Sequence, residues 1–324
     1  MTQFGLFEEP PKELGWWEDL PPAPRAGTDG LRWYQTEAHA ATFAAWNGGA
    51  RSVLNVLATG LGKTQIFSGI AADFKGNVLV LAHRDELINQ GAKRLEQITG
   101  EMVEIEQAEL RASKTGRIVM GSVPTMRRLD RLERMGPDRF DLIIIDESHH
   151  ATAKSYRTIL DYFSKAKVLG VTATPDRTDG KAMGQVFDEV AYSMDILAGI
   201  DSGYLVPFDG EMAVMEELKL GDVDTTAGDF VAKQLDNEVV KIVEAVVADV
   251  REHHPKRTGI FFFPGVKSAE YAAEKFNVVD PGSAIVITGK TDRQLRKQMV
   301  QEFREGRRKY LCNCMVATEG FDAP

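Results

Sequence analysis

The chain has 324 residues, 43% hydrophobic and 27% charged, the balance of an ordinary globular protein long enough for two domains. No apolar run approaches the ~20 residues of a membrane-spanning helix, and no basic stretch leads into an apolar one at the N-terminus, so the sequence predicts neither a membrane span nor a secretory leader. The net charge of −9, from 39 basic and 48 acidic residues, argues against binding nucleic acid through bulk charge, but residues 1–30 alone hold six acids against Lys12 and Arg25, which leaves room for a local basic groove elsewhere.

Residues 1–30 contain five of the 13 prolines and little periodicity, and read as a disordered acidic tail. Four aromatics there (Phe4, Phe7, Trp16, Trp17) are unusual for a spacer. From Leu31 onward short apolar runs rich in Val, Ile and Leu, at 53–57, 78–82, 117–121, 142–146 and 167–171, alternate with helical stretches. That alternation predicts a parallel sheet covered by helices on both faces, over residues 31–205. Residues 206–235 lapse into an irregular acidic stretch, with Gly221, Asp222, Asp224, Gly228 and Asp229, and are expected to be a linker. A second α/β unit is expected over 236–324, with helices at 236–253, 267–276 and 291–305 and strands at 258–263, 283–287 and 309–314. The only cysteines, Cys312 and Cys314, fall in its last strand; two such residues suit reduced thiols in a cytoplasmic setting better than a disulfide framework or a metal site.

The most informative segment runs from the strand at 53–57 through Ala58, Thr59, Gly60, Leu61 and Gly62 to Lys63 and Thr64, which open a helix from Gln65. Glycines let backbone N–H groups close around phosphate oxygens, and the helix N-terminus adds the positive end of its dipole. Lys63 can reach the outer phosphates and the Thr64 hydroxyl can ligate Mg²⁺. The strict P-loop pattern has glycine where this chain has Leu57; the segment is read as a nucleotide site, with a plain tight glycine turn as the alternative. A second segment, 142–147, is a buried strand ending in Asp146 and Glu147. In a parallel sheet the strand C-termini share one edge, so Asp146 could join the Mg²⁺ shell and Glu147 could orient and deprotonate the attacking water. Together the two segments predict hydrolysis of ATP or GTP.

With these residues in place the chain resembles the superfamily 2 helicases of the DEAD/DEAH type, and within them the RadD-like and type III restriction motor-subunit proteins. The resemblance runs over residues 31–324. Leu31 to Gln35 match the adenine-reading Q-motif region, which implies that Gln35 contacts the base. Residues 58–64 match motif I; 81–87, with Arg84, match motif Ia; Thr125 ends the stretch in the place of motif Ib; and Asp146, Glu147, Ser148 and His149 match the DEAH box. His149 then links the γ-phosphate site to motif III, Thr172 to Pro175, with Thr172 and Thr174 as coupling residues. Residues 203–207 resemble the exit from the first motor domain, 261–263 resemble motif IV, and Arg296, Phe303 and Gly306 keep the family's spacing. Residues 318–324 match motif V, which adds Gly320 and Asp322 to the ATP site and Thr318 to the nucleic-acid track with Arg84 and Thr125. The resemblance implies tandem RecA-like P-loop NTPase domains with ATP and Mg²⁺ between them. It also implies an ATP-dependent DNA helicase or translocase of repair, replication or restriction, gripping the strand through its backbone.

Three features stay open at this level. Arg127, Arg128, Arg131, Arg134 and Arg139 read equally as a DNA-binding cluster and as a solvated helix face with local ion pairs. Tyr34 and Trp33 could stack on adenine or pack, with packing the stronger expectation for Trp33. Gln3, Leu6 and Phe7 resemble the bacterial sliding-clamp-binding pentapeptide, against aromatics that fold back on the motor domain. No residue matches the family's motif VI, so the second domain is expected to be incomplete and the isolated chain weakly active. The alternative function is an ATP-switched DNA-binding module without efficient hydrolysis, in a bacterial or phage-infected cell.

Overall fold

The computed structural model describes residues 30–82, 85–173, 183–215, 217–226 and 229–314. The chain divides into two compact units after Phe208.

In the first unit the order is α1 (Trp33–Asn47), β1 (Ser52–Leu57), α2 (Lys63–Asp73), β2 (Val78–Ala82), α3 (Asp85–Thr99), β3 (Val103–Glu106), β4 (Ile118–Ser122), α4 (Val123–Met126), α5 (Leu129–Met135) and β5 (Leu142–Asp146). A 3-10 turn (Ser148–His150), α6 (Lys154–Tyr162), β6 (Lys167–Thr172), β7 (Glu189–Met194) and α7 (Ile196–Asp201) complete it. The seven strands form one sheet in the order β3-β4-β2-β5-β6-β1-β7, and every pairing is parallel.

Burial on both faces explains the continuous apolar runs. In β2, Val78, Val80 and Ala82 enter one core cluster while Leu79 and Leu81 enter the other, and β5 divides in the same way between Leu142 and Ile144 on one side and Ile143 and Ile145 on the other. Each fully buried side chain of this size contributes roughly 1.5–3 kcal/mol. Two strands escape the pattern: β3 carries Glu104 and Glu106, and β7 is a largely exposed edge. The latter is tied to β1 through Asp188, whose carboxylate accepts from the backbone N–H groups of Arg51 and Ser52 at 2.8 Å each.

The second unit holds a two-residue hairpin, β8 (Thr225–Thr226) and β9 (Asp229–Phe230), then α8 (Ala232–His253), β10 (Gly259–Phe262), α9 (Val266–Val279), β11 (Ala284–Ile287), α10 (Arg293–Arg304) and β12 (Tyr310–Asn313). Its sheet is parallel in the order β10-β12-β11. Again two clusters flank it, with Tyr310 and Cys312 on one face and Leu311 on the other. The segment expected to be a linker thus carries a hairpin, and its last residues belong to α8, which starts at Ala232 instead of 236.

Candidate nucleotide and nucleic-acid site

The C-terminal ends of β1, β5 and β6 lie side by side in the sheet, so the turn after β1 and the carboxylates after β5 share one edge. The turn is shaped by its two glycines, Gly60 at φ +89° and Gly62 at φ +76°, a region where a Cβ is strained. Gly62 is the N-cap of α2, so the helix opens at Lys63, two residues ahead of the expected start. A Cβ on Gly62 would meet Gln35 Nε2 at 2.5 Å, and one on Gly60 would meet Leu205 Cδ2 at 2.8 Å. Both neighbours hold the loop from outside.

Gln35 is 4% exposed and has both ends of its amide engaged: Nε2 donates to Leu61 O at 3.1 Å, and Oε1 accepts from the backbone N–H of Arg32 at 3.0 Å. The Tyr34 hydroxyl donates to the same carbonyl at 2.9 Å and accepts from Arg32 Nη1 at 3.0 Å. Of the two aromatics, Tyr34 packs the more deeply, and Trp33 meets its ring edge-on at 5.7 Å. Tyr34 is fully buried, in edge contact with Tyr204 at 4.9 Å, whereas Trp33 is 36% exposed. Residues 203–207 therefore do more than leave the domain: Tyr204 packs on Tyr34, and Leu205 wedges between Gly60 and Gly199.

Asp146 ends β5, and the backbone N–H of Glu147 donates to its Oδ1 at 3.0 Å. Burial and the neighbouring Glu147 carboxylate push Asp146 up to about 6, against the opposing pull of Lys63, that backbone N–H and His149. Glu147 adopts a left-handed backbone (φ 51°, ψ 53°), a costly conformation for a residue with a Cβ, and it turns the chain into the 3-10 segment. His149 Nδ1 lies 3.5 Å from Glu147 Oε2 and 3.4 Å from Thr172 Oγ1, so this imidazole stands between the end of β5 and the end of β6. The structure thus brings Asp146, Glu147, His149 and Thr172 together, with Lys63 close enough to act on Asp146. Thr59 and Thr64 flank the glycine turn.

Thr125 lies on α4, nearly buried, and its Oγ1 accepts from the backbone N–H of Ala108 at 3.0 Å. The arginines that follow fit neither sequence expectation as a group. Arg131, 3% exposed, and Arg134 both pair with the fully buried carboxylate of Glu106, and Arg131 also donates to Ala108 O and Leu110 O. Arg139 is buried and donates to Gly116 O. Only Arg127 and Arg128 stay exposed, with Arg128 paired to Asp130. The cluster is mainly an internal clamp on the 107–112 loop, because Glu106 offers one carboxylate to two guanidinium groups. That loop and its acid were missed, since Glu106 lies 25 residues ahead of Arg131.

Several expected site residues, namely Gln3, Leu6, Phe7, Arg84, Thr174, Thr318, Gly320 and Asp322, lie outside the described residues. Among the described residues no helix is long and apolar enough to cross a membrane.

The family profile "Type III restriction enzyme, res subunit" matches residues 29–177, and "Helicase conserved C-terminal domain" matches residues 238–324. The chain belongs to superfamily 2 of the helicases. The Saccharomyces cerevisiae protein IRC3, named for an ATP-dependent helicase, is 31% identical over 318 residues, covering 91% of this chain and 45% of that protein. The DNA 3'-5' translocase XPB2 of Sulfurisphaera tokodaii is 26% identical, covering 91% of this chain and 72% of that protein. Among solved structures, a fragment assigned to the HsdR subunit of a type I restriction enzyme from Vibrio vulnificus matches with a TM-score of 0.68 at 20% identity, over 91% of this chain and 56% of that one. The last likeness shows the fold, two RecA-like units. The chain spans about half the length of IRC3. The two profiles together mark it as carrying helicase-type domains.

Proposed function

We propose that the chain is the motor segment of an ATP-driven DNA translocase or helicase, and that it hydrolyses ATP at the edge formed by residues 59–64 and 146–149. The observation that carries this reading is the chain of neighbours from Lys63 through Asp146 and Glu147 to His149 and Thr172, at one sheet edge beside a glycine-capped helix N-terminus. The name of XPB2 supports DNA as the track.

The donor set fits Mg²⁺. Thr64 and Asp146 supply hard oxygens, and few carboxylates are needed when phosphates provide the rest of the shell. Bound there, Mg²⁺ would neutralise charge on the phosphate oxygens. The protein's own groups would do the remaining work. Backbone N–H groups of the 59–64 loop would cradle phosphates, and Lys63 would hold the outer ones. Glu147 would orient a water and accept its proton. His149 would couple that carboxylate to Thr172 and, with Thr174, to the nucleic-acid side. Thr125, whose hydroxyl accepts from Ala108 and so keeps its hydrogen to donate, would bind a backbone phosphate, with Arg84 as a second donor of the same unit.

The test is ATP turnover with and without single-stranded DNA, and with RNA of the same sequence. DNA should raise the rate more than RNA does, and Glu147→Gln should lower kcat by roughly a hundredfold or more while ATP still binds. A rate indifferent to DNA overturns the reading.

A further inference from the structure

The chain leaves the first unit by folding back on itself. After α7, Gly203 turns at φ +71°, and the backbone N–H groups of Tyr204 and Leu205 both donate to Gly199 O at 3.0 Å. This return carries the Leu205 side chain into a notch made by two glycines on different elements. A Cβ on Gly199 would meet Leu205 Cδ1 at 2.6 Å and Leu61 Cδ2 at 3.2 Å, and one on Gly60 would meet Leu205 Cδ2 at 2.8 Å. Glycine inside a helix is unfavourable relative to alanine, so Gly199 is explained by the side chain it admits. Tyr204, one residue earlier, meets Tyr34 edge-on at 4.9 Å and lies under the Arg32 guanidinium at 4.9 Å. Leu205 packs on the core cluster that holds Leu61, whereas residues 206–208 are all exposed and lead into the second unit at Asp209. The glycine turn and the segment joining the units therefore meet at one side chain.

We propose that Leu205 is a positioning residue that couples the two: seated between Gly60 and Gly199 it braces the loop for nucleotide, and nucleotide bound at the loop in turn holds residues 206–208 against release. The proposal rests on the nucleotide-site reading of residues 59–64 above. Such coupling is reciprocal. The factor by which a seated Leu205 tightens nucleotide is the factor by which nucleotide depletes the unseated form.

Chymotrypsin reads the seating, because cleavage after the exposed Phe208 engages the residues just before it, Leu205 included. Mg²⁺ with ADP should slow that cut about tenfold in the parent. Two variants unseat the leucine by opposite means: Leu205→Ala empties the notch, and Gly199→Ala fills it while favouring the helix and leaving the cleaved sequence intact. Both should be cut at the same rate with and without ADP, and should bind a fluorescent ADP about tenfold more weakly. Leu205→Met, which nearly conserves volume, should restore both effects, and Leu197→Ala, at an exposed position of the same helix, should match the parent. A leucine that only packs would change the ligand-free rate of cutting but not the ratio of rates with and without ADP. A Gly199→Ala chain that keeps the parent's protection or its ADP affinity overturns the proposal, whether or not Leu205→Ala folds. A parent that binds ADP without protection overturns the coupling alone. A parent that binds no ADP overturns the nucleotide-site reading, and this proposal with it.

Discussion

Gln35 donates its side-chain amide to the carbonyl oxygen of Leu61 at 3.1 Å, and so fastens α1 to the turn from which Lys63 departs. Removing the amide with Gln35→Ala should cost about 2 kcal/mol of stability, the worth of its two neutral hydrogen bonds, to Leu61 O and from the Arg32 N–H, although the Tyr34 hydroxyl still satisfies the Leu61 carbonyl. A second effect should be on the ligand. We expect affinity for a fluorescent ADP to fall about tenfold, as the loop loses the group that packs against Gly62; titration by anisotropy checks this.

The clamp on the 107–112 loop separates structural from exposed arginines. Glu106→Ala strands Arg131, which is nearly inaccessible to water, and should destabilise the chain by about 3–5 kcal/mol in urea unfolding. Replacing Arg127 and Arg128 together with alanine should change stability by no more than about 0.5 kcal/mol. If Glu106→Ala unfolds at the parent's midpoint, the clamp has no structural weight.

Asp146 is held above the usual carboxylate range by burial and by Glu147, so its ionisation opposes folding. The stability associated with its proton is fully present below the unfolded value near 4 and is lost as pH rises through about 6. The ligand-free chain with Asp146→Asn should therefore melt higher than the parent at pH 7.5, with the difference shrinking toward pH 4. The same variant should lose the Mg²⁺-dependent part of ATP binding. Melting curves across that range would read the first effect, and an unchanged difference would count against the assignment.

The two thiols should respond unequally to alkylation. Burial pushes Cys312 up to about 12, and Cys314, half-buried, is raised by burial and by Asp236. The thiolate is the reactive form, so at pH 8 iodoacetamide should label Cys314 slowly and Cys312 only once the chain unfolds. Peptide mapping by mass spectrometry would show the order.

How much of this was legible from residue order differs between elements. Strands β2 and β5 were expected at 78–82 and 142–146 and lie there, since a strand buried on both faces is a short run with no polar interruption. The β3 strand escaped notice because Glu106 reads as a surface residue until Arg131 and Arg134 fold over it. The β7 edge strand carries too mixed a composition to register. In the site, local motifs identified the turn at 58–64 and the acids at 146 and 147, where spacing alone sets geometry. The supports for that turn, Tyr34, Gln35 and Leu205, come from elements that only tertiary packing brings together.

The left-handed backbone of Glu147 bears on how the protein can be engineered. Glycine occupies that conformation without strain, so Glu147→Gly relieves a backbone penalty of about 1 kcal/mol while deleting the proposed base. A library sorted for heat resistance alone would enrich such variants and drift toward inert chains. Sorting for nucleotide turnover in parallel would keep the acid in place, and position 147 would then mark where the two selections part company.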